Sequence, residues 1–299
     1  MTKPQPQGVL PVFQTPFHDD ESLDFDTLAR EIEWLFNNGA DGIVMAMVSE
    51  VLRLSDAERR ELATRACHCA EGRGTVVISV GAESSLLAEE SARHAESVGA
   101  TAVMAIPPIS VALDDGELRR YYERILSAIS IPVIVQDASG YVGRPMSIDM
   151  QAGLFAEYGD RVMYKPEANP IGPRLTALNE ATGGKAKVFE GTGGIALVES
   201  YARGIAGTMP GADLIRVLTA LWRALNADDF ETINRLHPPL CSMISLQTSL
   251  DAFLAIEKYL LVKQGIFKNT VTRGPVGYRL DAATQAEVDR LYELLMAGL

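Results

Sequence analysis

Residues 76–106 read VVISV GAESSLLAEE SARHAESVGA TAVMAI and contain one full unit of the pattern that decides the fold. The run of β-branched and apolar residues at 76–80 is typical of a buried strand. Residues 84–97 have the spacing of an amphipathic helix, and Gly99 follows where that helix should end. A second apolar run at 102–106 predicts the next strand. A strand, a helix and another strand in close succession indicate a parallel α/β architecture.

The same alternation extends outward in both directions. The predicted strands lie at 9–14, 42–46, 76–80, 102–106, 133–136, 162–165, 188–190 and 207–209, and a helical stretch follows each of them. Eight such units in roughly 220 residues match a TIM barrel in number and size. A doubly wound sheet is the alternative, but Thr15-Pro16-Phe17 follows the first strand in place of a Gly-rich fingerprint.

The strand pattern ends near residue 226. The segments 228–245, 249–264 and 281–297 each have the pattern of a helix. We therefore predict a TIM-barrel catalytic domain at 1–225 and a C-terminal helical extension at 226–299.

Composition excludes several classes of protein. The formal net charge of −12 disfavours nucleic acid and anionic membranes as partners. No apolar run is long enough for a membrane span, and the N-terminus lacks the apolar core of a signal peptide, so a cytoplasmic protein is expected. Cys67-His68-Cys69 falls inside a helical pattern with no second ligand cluster, so we expect no metal.

Lys165 closes the apolar segment Arg161-Val162-Met163-Tyr164-Lys165. In a TIM barrel this end of a strand faces the active site. Burying an ammonium group is costly, so such a site favours the neutral amine, which is the form that attacks a carbonyl in Schiff-base chemistry. The other interpretation is an exposed lysine at the end of a strand.

The chain resembles the dihydrodipicolinate synthase / N-acetylneuraminate lyase family of class I aldolases. No single motif is specific, but many lie in register along nearly the whole chain. They are Thr15-Pro16-Phe17, Gly39-Ala40-Asp41-Gly42-Ile43, Ser49-Glu50, Leu54-Ser55-Asp56-Ala57-Glu58-Arg59, Gly99-Ala100-Thr101-Ala102, Pro107-Pro108, Tyr121-Tyr122, Ile131-Pro132-Val133, Gly204, Gly207 and Arg273-Gly274-Pro275. Lys165 matches the Schiff-base lysine of that family.

The resemblance implies a TIM barrel with a helical extension and a small 2-oxo acid as the substrate. It implies that Lys165 condenses with the ketone of pyruvate or a related acid, without a metal or an organic cofactor. It also implies a homo-oligomer, commonly a tetramer built as a dimer of dimers.

The chain departs from the family at several polar positions. The loop after the second strand is Ala46-Met47-Val48-Ser49-Glu50 where many relatives have Gly-Thr-Thr-Gly-Glu. Gln136 stands in place of the usual tyrosine that relays protons, and Ile109-Ser110 in place of a tyrosine pair. Tyr141 aligns with the arginine that binds the second substrate of the dipicolinate synthases. These differences argue against dihydrodipicolinate synthase activity.

Another group must therefore move protons. Glu167 and Asp137 are candidates, since a carboxyl group with a raised pKa serves as acid or base. Tyr141 is a third candidate, as a phenol that replaces the usual tyrosine. Each has a structural alternative: Glu167 faces elsewhere if Pro166 breaks the strand, Asp137 caps the following loop, and Tyr141 is an ordinary loop aromatic.

We expect the substrate to contact six residues near the carboxyl ends of the strands. They are Val48, Ser49, Gln136, Thr192, Gly193 and Met209. The backbone N–H groups of Val48 and Ser49 are candidates for binding the carboxylate, and the 191–194 segment either binds the ligand at a helix start or forms a tight turn. Glu50 is expected to be a structural anchor near the site.

Together these features predict a lyase that cleaves or dehydrates a hydroxylated 2-oxo acid, such as a 3-deoxy-2-oxo sugar acid, and releases pyruvate in the cleavage reaction. A 2-oxo-acid binding or regulatory protein on an aldolase scaffold is the alternative. A carboxyl group within about 6 Å of the Lys165 amine would favour the enzyme.

Overall fold

The computed structural model describes residues 5–139 and 144–299. Eight short parallel strands and their helices form a TIM barrel, as the sequence predicts. The strands are β1 (Gly8–Val9), β2 (Gly42–Val44), β3 (Thr75–Ser79), β4 (Ala102–Ala105), β5 (Val133–Asp137), β6 (Val162–Pro166), β7 (Phe189–Glu190) and β8 (Gly207–Thr208).

The strands follow one another around the barrel in chain order. β2 to β6 form one hydrogen-bonded sheet, and β1, β8 and β7 form a second. Two isolated bridges join the sheets: Val12 pairs with Val44, and Tyr164 pairs with Val188. The predicted first strand at 9–14 is wrong in its length: regular pairing stops after Val9, and Val12 bridges both neighbouring segments.

The helices lie outside the strands. They are α1 (Phe25–Asn37), α2 (Asp56–Cys69), α3 (Ser85–Ser97), α4 (Asp115–Ala128), α5 (Ile148–Tyr158), α6 (Ile171–Ala181), α7 (Leu197–Tyr201) and α8 (Ile215–Asn226). The predicted capping box at α2 is confirmed, since the Ser55 side chain accepts from Glu58 N and Glu58 accepts from Ser55 N. Gly99 ends α3 with a positive φ of 104°, a conformation that favours glycine.

Three helices follow the barrel: α9 (Phe230–Ser245), α10 (Leu250–Lys263) and α11 (Ala282–Ala297). They match the predicted extension within two residues at each end. α9 packs against α8 and α11. In the described part of the chain no helix is long and apolar enough to cross a membrane. The division at residue 225 stays a prediction.

Side chains fill the barrel interior. Inward-facing apolar residues from the strands and the segments that follow them form a cluster that closes the bottom of the site. Its buried members are Leu10, Val12, Val44, Ala46, Val77, Ala102, Met104, Ile134, Met163, Phe189 and Met209. The polar groups described next therefore lie above a layer of buried apolar side chains.

Candidate active site

Lys165 lies near the carboxyl end of β6, and its side chain reaches a cavity at the mouth of the barrel. The residue is only 3% exposed, so Lys165 is a buried lysine and not an exposed one at the end of a strand. The cavity is lined by residues from the strand ends, the following loops and the helical extension. They are Val12, Ala46, Met47, Val48, Gln136, Lys165, Glu167, Gly191, Thr192, Gly193, Met209, Pro210, Gly211, Ile244, Gln247 and Phe253.

Glu167 faces the same cavity as Lys165. Pro166 does not break the strand pairing, because the Glu167 N–H donates to the Asp137 carbonyl at 2.9 Å and extends the ladder between β5 and β6. Residues two apart in a strand point to the same side. The Lys165 Nζ consequently lies 3.0 Å from Glu167 Oε1.

Gln136 holds the second oxygen of the same carboxyl group. It pairs with Lys165 in the register of β5 and β6, so both side chains point into the barrel. Its Nε2 donates to Glu167 Oε2 at 2.8 Å. Glu167 is thus fixed at both oxygens, between an amine and an amide.

Burial raises the pKa of Glu167 above its ordinary value. The positive charge of Lys165 and the hydrogen bond from Gln136 act in the opposite direction, whereas the negative charge of Glu190 raises the pKa further. A carboxyl group of this kind takes up and returns a proton more readily near neutral pH than an exposed glutamate does.

Glu190, at the end of β7, supports the site from one side and was missed in the sequence analysis. Its Oε2 accepts from Thr208 Oγ1 at 2.7 Å, and its Oε1 accepts from the Thr192 N–H and hydroxyl. The carboxyl end of a barrel strand is where such a residue should be sought, so its position was a usable signal.

Asp137 points away from the cavity. Its carboxylate accepts from Ser139 Oγ at 2.6 Å and from Met146 N–H at 2.9 Å, and Arg174 Nη2 lies 3.5 Å away. Next to Gln136 in the strand, it faces the opposite side of the sheet. The structure therefore does not bring Asp137 to Lys165. Tyr141 lies outside the described residues.

Ser49 is also directed away from the cavity, contrary to its expected role in binding. Its Oγ donates to the Phe13 carbonyl at 2.6 Å and accepts from Ala46 N–H at 3.1 Å, while its own N–H donates to the Ala46 carbonyl. Val48 does line the cavity. The short turn after β2 needs the Ser49 hydroxyl for its own backbone groups, a demand that the residue type alone does not reveal.

Glu50 lies behind that turn with a left-handed φ of 58°. Its carboxylate forms an ion pair with Lys258 of α10, and both side chains are almost fully buried. This arrangement agrees with a structural anchor near the site, and it joins the extension to the loop after β2.

Thr192, Gly193 and Met209 line the cavity, and their contact with a substrate stays a prediction. Gly193 and Gly194 have φ of 72° and 109°, and α7 begins only at Leu197. The segment is therefore a tight turn and not a helix start that could bind an anion.

The extension supplies three lining residues that the sequence analysis did not name. Ile244 and Gln247 lie at and after the end of α9, and Phe253 lies in α10. No local pattern in the sequence shows that these helices reach the barrel mouth. Among residues 5–139 and 144–299, no group of three or more His, Cys, Asp or Glu residues could hold a metal ion.

Two curated relatives resemble the chain over almost their full lengths. L-2-keto-3-deoxyarabonate dehydratase of Azospirillum brasilense is 27% identical and aligns with 95% of this chain and 93% of its own. A protein of Escherichia coli K12 named as a probable 2-dehydro-3-deoxy-D-pentonate aldolase is 25% identical, with 97% and 96% covered.

The fold is shared with solved structures. Dihydrodipicolinate synthase from Rhodopseudomonas palustris superposes with a TM-score of 0.88 at 25% identity, covering 98% of this chain and 99% of that one. The family model for the dihydrodipicolinate synthetase family matches residues 5–292, and the chain therefore belongs to that family.

Proposed function

We propose that the protein is a class I lyase that acts on a 3-deoxy-2-oxo sugar acid, with Lys165 as the amine that forms the iminium. The observation that carries this proposal is the 3.0 Å separation between Lys165 Nζ and Glu167 Oε1 inside a closed-in cavity. Two relatives support the substrate class, since both are named for five-carbon 3-deoxy-2-oxo acids.

Glu167 prepares the amine. When its carboxylate takes a proton from the Lys165 ammonium, the free amine attacks the carbonyl carbon C2, and water leaves as the iminium forms. The same carboxyl group returns a proton to the departing oxygen. The positively charged iminium then accepts the electron pair released at C3.

Two outcomes share this intermediate. In cleavage, a base removes the proton from the C4 hydroxyl, the C3–C4 bond breaks, and the electron pair forms an enamine that hydrolyses to pyruvate. In dehydration, the base removes a proton from C3, and the C4 hydroxyl leaves as water after protonation. Glu167 is placed to serve as the base in either reaction.

The polar differences from the dipicolinate synthases support a reaction other than theirs. Gln136 occupies the strand-five position at which we expected a tyrosine relay in those enzymes, and it is committed to Glu167. Ser49 is committed to the backbone of the loop. The site accordingly lacks at these positions the groups that we associate with that synthesis.

The alternative, a 2-oxo-acid binding protein without catalysis, is less well supported. A protein that only binds the acid would need no group near Lys165 to carry a proton. The Glu167 carboxyl group lies well within the 6 Å that would favour the enzyme.

Borohydride reduction in the presence of pyruvate tests the proposal. We expect a pyruvate-sized adduct on the peptide containing Lys165, no such adduct in Lys165→Ala, and an unchanged adduct in Lys185→Ala, which removes an exposed lysine. A folded protein that forms no adduct with pyruvate or with any 3-deoxy-2-oxo acid would contradict the proposal.

Glu167→Gln separates the two roles at the site. We expect turnover of a 3-deoxy-2-oxo pentonate to fall by about 10²- to 10⁴-fold, while the trapped adduct still forms over a longer incubation. Product analysis by chromatography then distinguishes the reactions, since cleavage yields pyruvate and a two-carbon aldehyde, and dehydration yields a single five-carbon product.

A further inference from the structure

The cavity contains one polar side chain from the helical extension. Gln247 lies in the short connection between α9 and α10, where its N–H donates to the Ile244 carbonyl at 2.9 Å. Its lining neighbours from the extension, Ile244 and Phe253, are apolar. Gln247 therefore places a single amide in an otherwise apolar part of the wall.

The amide nitrogen of Gln247 is buried and has no hydrogen-bond partner in the described structure. The other polar side chains of the cavity wall are paired. Lys165 and Gln136 both donate to Glu167, and Thr192 donates to Glu190. Leaving a buried donor without a partner costs about 1–3 kcal/mol. A ligand that supplies an acceptor would remove that cost on binding.

The neighbourhood of the amide favours a neutral acceptor. The other residues that the extension contributes to the cavity wall, Ile244 and Phe253, are apolar and carry no charge. Burying a carboxylate beside a neutral amide in such surroundings would leave the carboxylate charge uncompensated. A hydroxyl oxygen has no such penalty. In the proposed reaction Lys165 holds C2 and Glu167 serves C3 and C4, so the next group along the substrate is the hydroxyl on C5.

We propose that Gln247 determines specificity by donating a hydrogen bond to the terminal hydroxyl of a five-carbon 3-deoxy-2-oxo acid. This inference rests on the proposed function and adds the recognition of the distal end of the substrate. Gln247 takes no part in the chemistry, because it is not within the hydrogen-bonded group of Lys165, Glu167 and Gln136.

Two substrates that differ only at C5 test the inference. One is a 3-deoxy-2-oxo pentonate, and the other is 4-hydroxy-2-oxopentanoate, which lacks the terminal hydroxyl but retains the C4 hydroxyl that reacts. In Gln247→Leu we expect kcat/KM for the first to fall about tenfold to a hundredfold, mainly through KM. We expect kcat/KM for the second to stay the same or rise, because the unpaired donor has been removed.

Three controls keep the outcomes separable. Thr248→Val changes the exposed neighbour and should leave both substrates unaffected. Gln247→Asn shortens the side chain and preserves its polarity. It should lower kcat/KM for the hydroxyl-bearing substrate to a similar extent. Trapping with pyruvate, which has no C4 or C5, reports the Lys165 chemistry and the fold in every variant.

The results divide cleanly. If the folded, unmodified protein gives no adduct with pyruvate and none with a 3-deoxy-2-oxo acid, the proposed function is contradicted. If trapping is intact, equal losses for both substrates in Gln247→Leu, or no loss for either, would overturn the role of Gln247 and leave the lyase proposal standing.

Discussion

Glu167 and Glu190 are buried carboxyl groups at the ends of neighbouring strands, and the charge of one affects the other. Burial is the main reason that the pKa of Glu167 is raised, and the negative charge of Glu190 adds to it. Glu190 is itself held by Thr192 and Thr208. It does not line the cavity, so we interpret it as a positioning residue that acts through Glu167.

We predict that Glu190→Gln moves the pH dependence of turnover. Removing the negative charge lowers the pKa of Glu167, so the limb of the kcat profile that reports its ionisation should shift to lower pH. The measurement is the pH dependence of kcat with a 3-deoxy-2-oxo pentonate.

Thr208→Val is the matched control for that profile, because it removes a hydrogen bond to Glu190 and no charge. We expect its profile to keep the position of the unmodified enzyme. A Glu190→Gln profile that falls in height without moving along the pH axis would show that the charge of Glu190 does not act on Glu167.

At the scale of the elements, the loop between β7 and α7 comes very close to the reacting groups. A Cβ atom on Gly191 would lie 2.7 Å from Lys165 Cε and 2.9 Å from Glu167 Oε1. These distances are shorter than real Cβ contacts, so a side chain at residue 191 would force the Lys165 and Glu167 side chains to move. The sequence indicated a functional segment at 191–194, and the structure shows that its first residue lies against the reacting groups.

We predict that Gly191→Ala lowers kcat by about 10²-fold, because the lysine and the carboxyl group must move apart to admit the methyl group. The fold should survive, since the flexible ends of both side chains can shift. Steady-state kinetics and circular dichroism would check both statements.

Gly116→Ala provides the comparison for this variant. Gly116 lies in the exposed first turn of α4, and its added Cβ would lie 3.2 Å from Asp114 Oδ1 and 3.9 Å from Arg120 Nη1. Its activity should match the unmodified enzyme. Equal activity in Gly191→Ala would show that the loop tolerates a side chain at the site.

At the scale of the whole molecule, buried ionisable groups join the extension to the barrel. Glu31 of α1 accepts from the Gln14 N–H at 2.9 Å, and Gln14 donates through its side chain to Glu257 of α10. Burial raises the pKa of Glu31 to about 8, against the hydrogen bond from Gln14 and the charge of Lys258. Burial also raises the pKa values of Asp213 and Glu257 above their ordinary values.

This cluster should make the protein less stable as pH rises. The folded state holds a proton on Glu31 up to about pH 8, whereas the unfolded chain releases it above the ordinary pKa of 4.5. The free energy of unfolding should therefore fall between these pH values and level off above them. The contribution of Glu31 is on the order of a few kcal/mol.

We predict that Glu31→Gln removes this part of the pH dependence. The difference in the free energy of unfolding between pH 5 and pH 8, measured by urea unfolding, should be smaller in the variant than in the unmodified protein. Glu33→Gln, on the exposed side of the same helix, should leave the slope unchanged. An unaltered slope in Glu31→Gln would mean that Glu31 ionises normally in the folded protein.

The ion pair between Lys258 and Glu50 is a second connection of the same kind. Lys258 Nζ donates to Glu50 and also to the Val271 carbonyl at 2.7 Å. We predict that Lys258→Met lowers the free energy of unfolding by about 3–5 kcal/mol, because the buried Glu50 loses its hydrogen-bonded ammonium and keeps only the 3.7 Å contact with Arg53. Urea unfolding at neutral pH measures the change.

Lys263→Met is the control for this variant, because Lys263 lies on the same helix as Lys258 and forms a more exposed ion pair with Asp289 of α11. It should cost about 1 kcal/mol or less. Similar losses in the two variants would indicate a general effect of removing lysines from α10.

The dimer of dimers that the family resemblance implies stays a prediction, for which the mass in solution is the measurement.

The barrel and the position of Lys165 at the end of one of its strands could be predicted from the amino-acid sequence. Periodicity is a local property, and the carboxyl ends of parallel strands meet at one mouth, so Lys165, Gln136, Thr192 and Met209 were found from their places after strands. The capping box of α2 was predicted for the same reason, since its two residues lie three positions apart at the first turn of the helix.

Which polar groups face the cavity could not be predicted from the sequence and became known from the three-dimensional arrangement. Asp137 and Ser49 satisfy loop backbone groups, Glu167 reaches Lys165 because the ladder continues past Pro166, and Gln247 enters from a distant helix connection. The physical reason is that a side chain at a strand end has several competing partners. The partner with which the side chain bonds depends on groups that folding brings close to it. The spacing of residues along the chain does not reveal which groups these are.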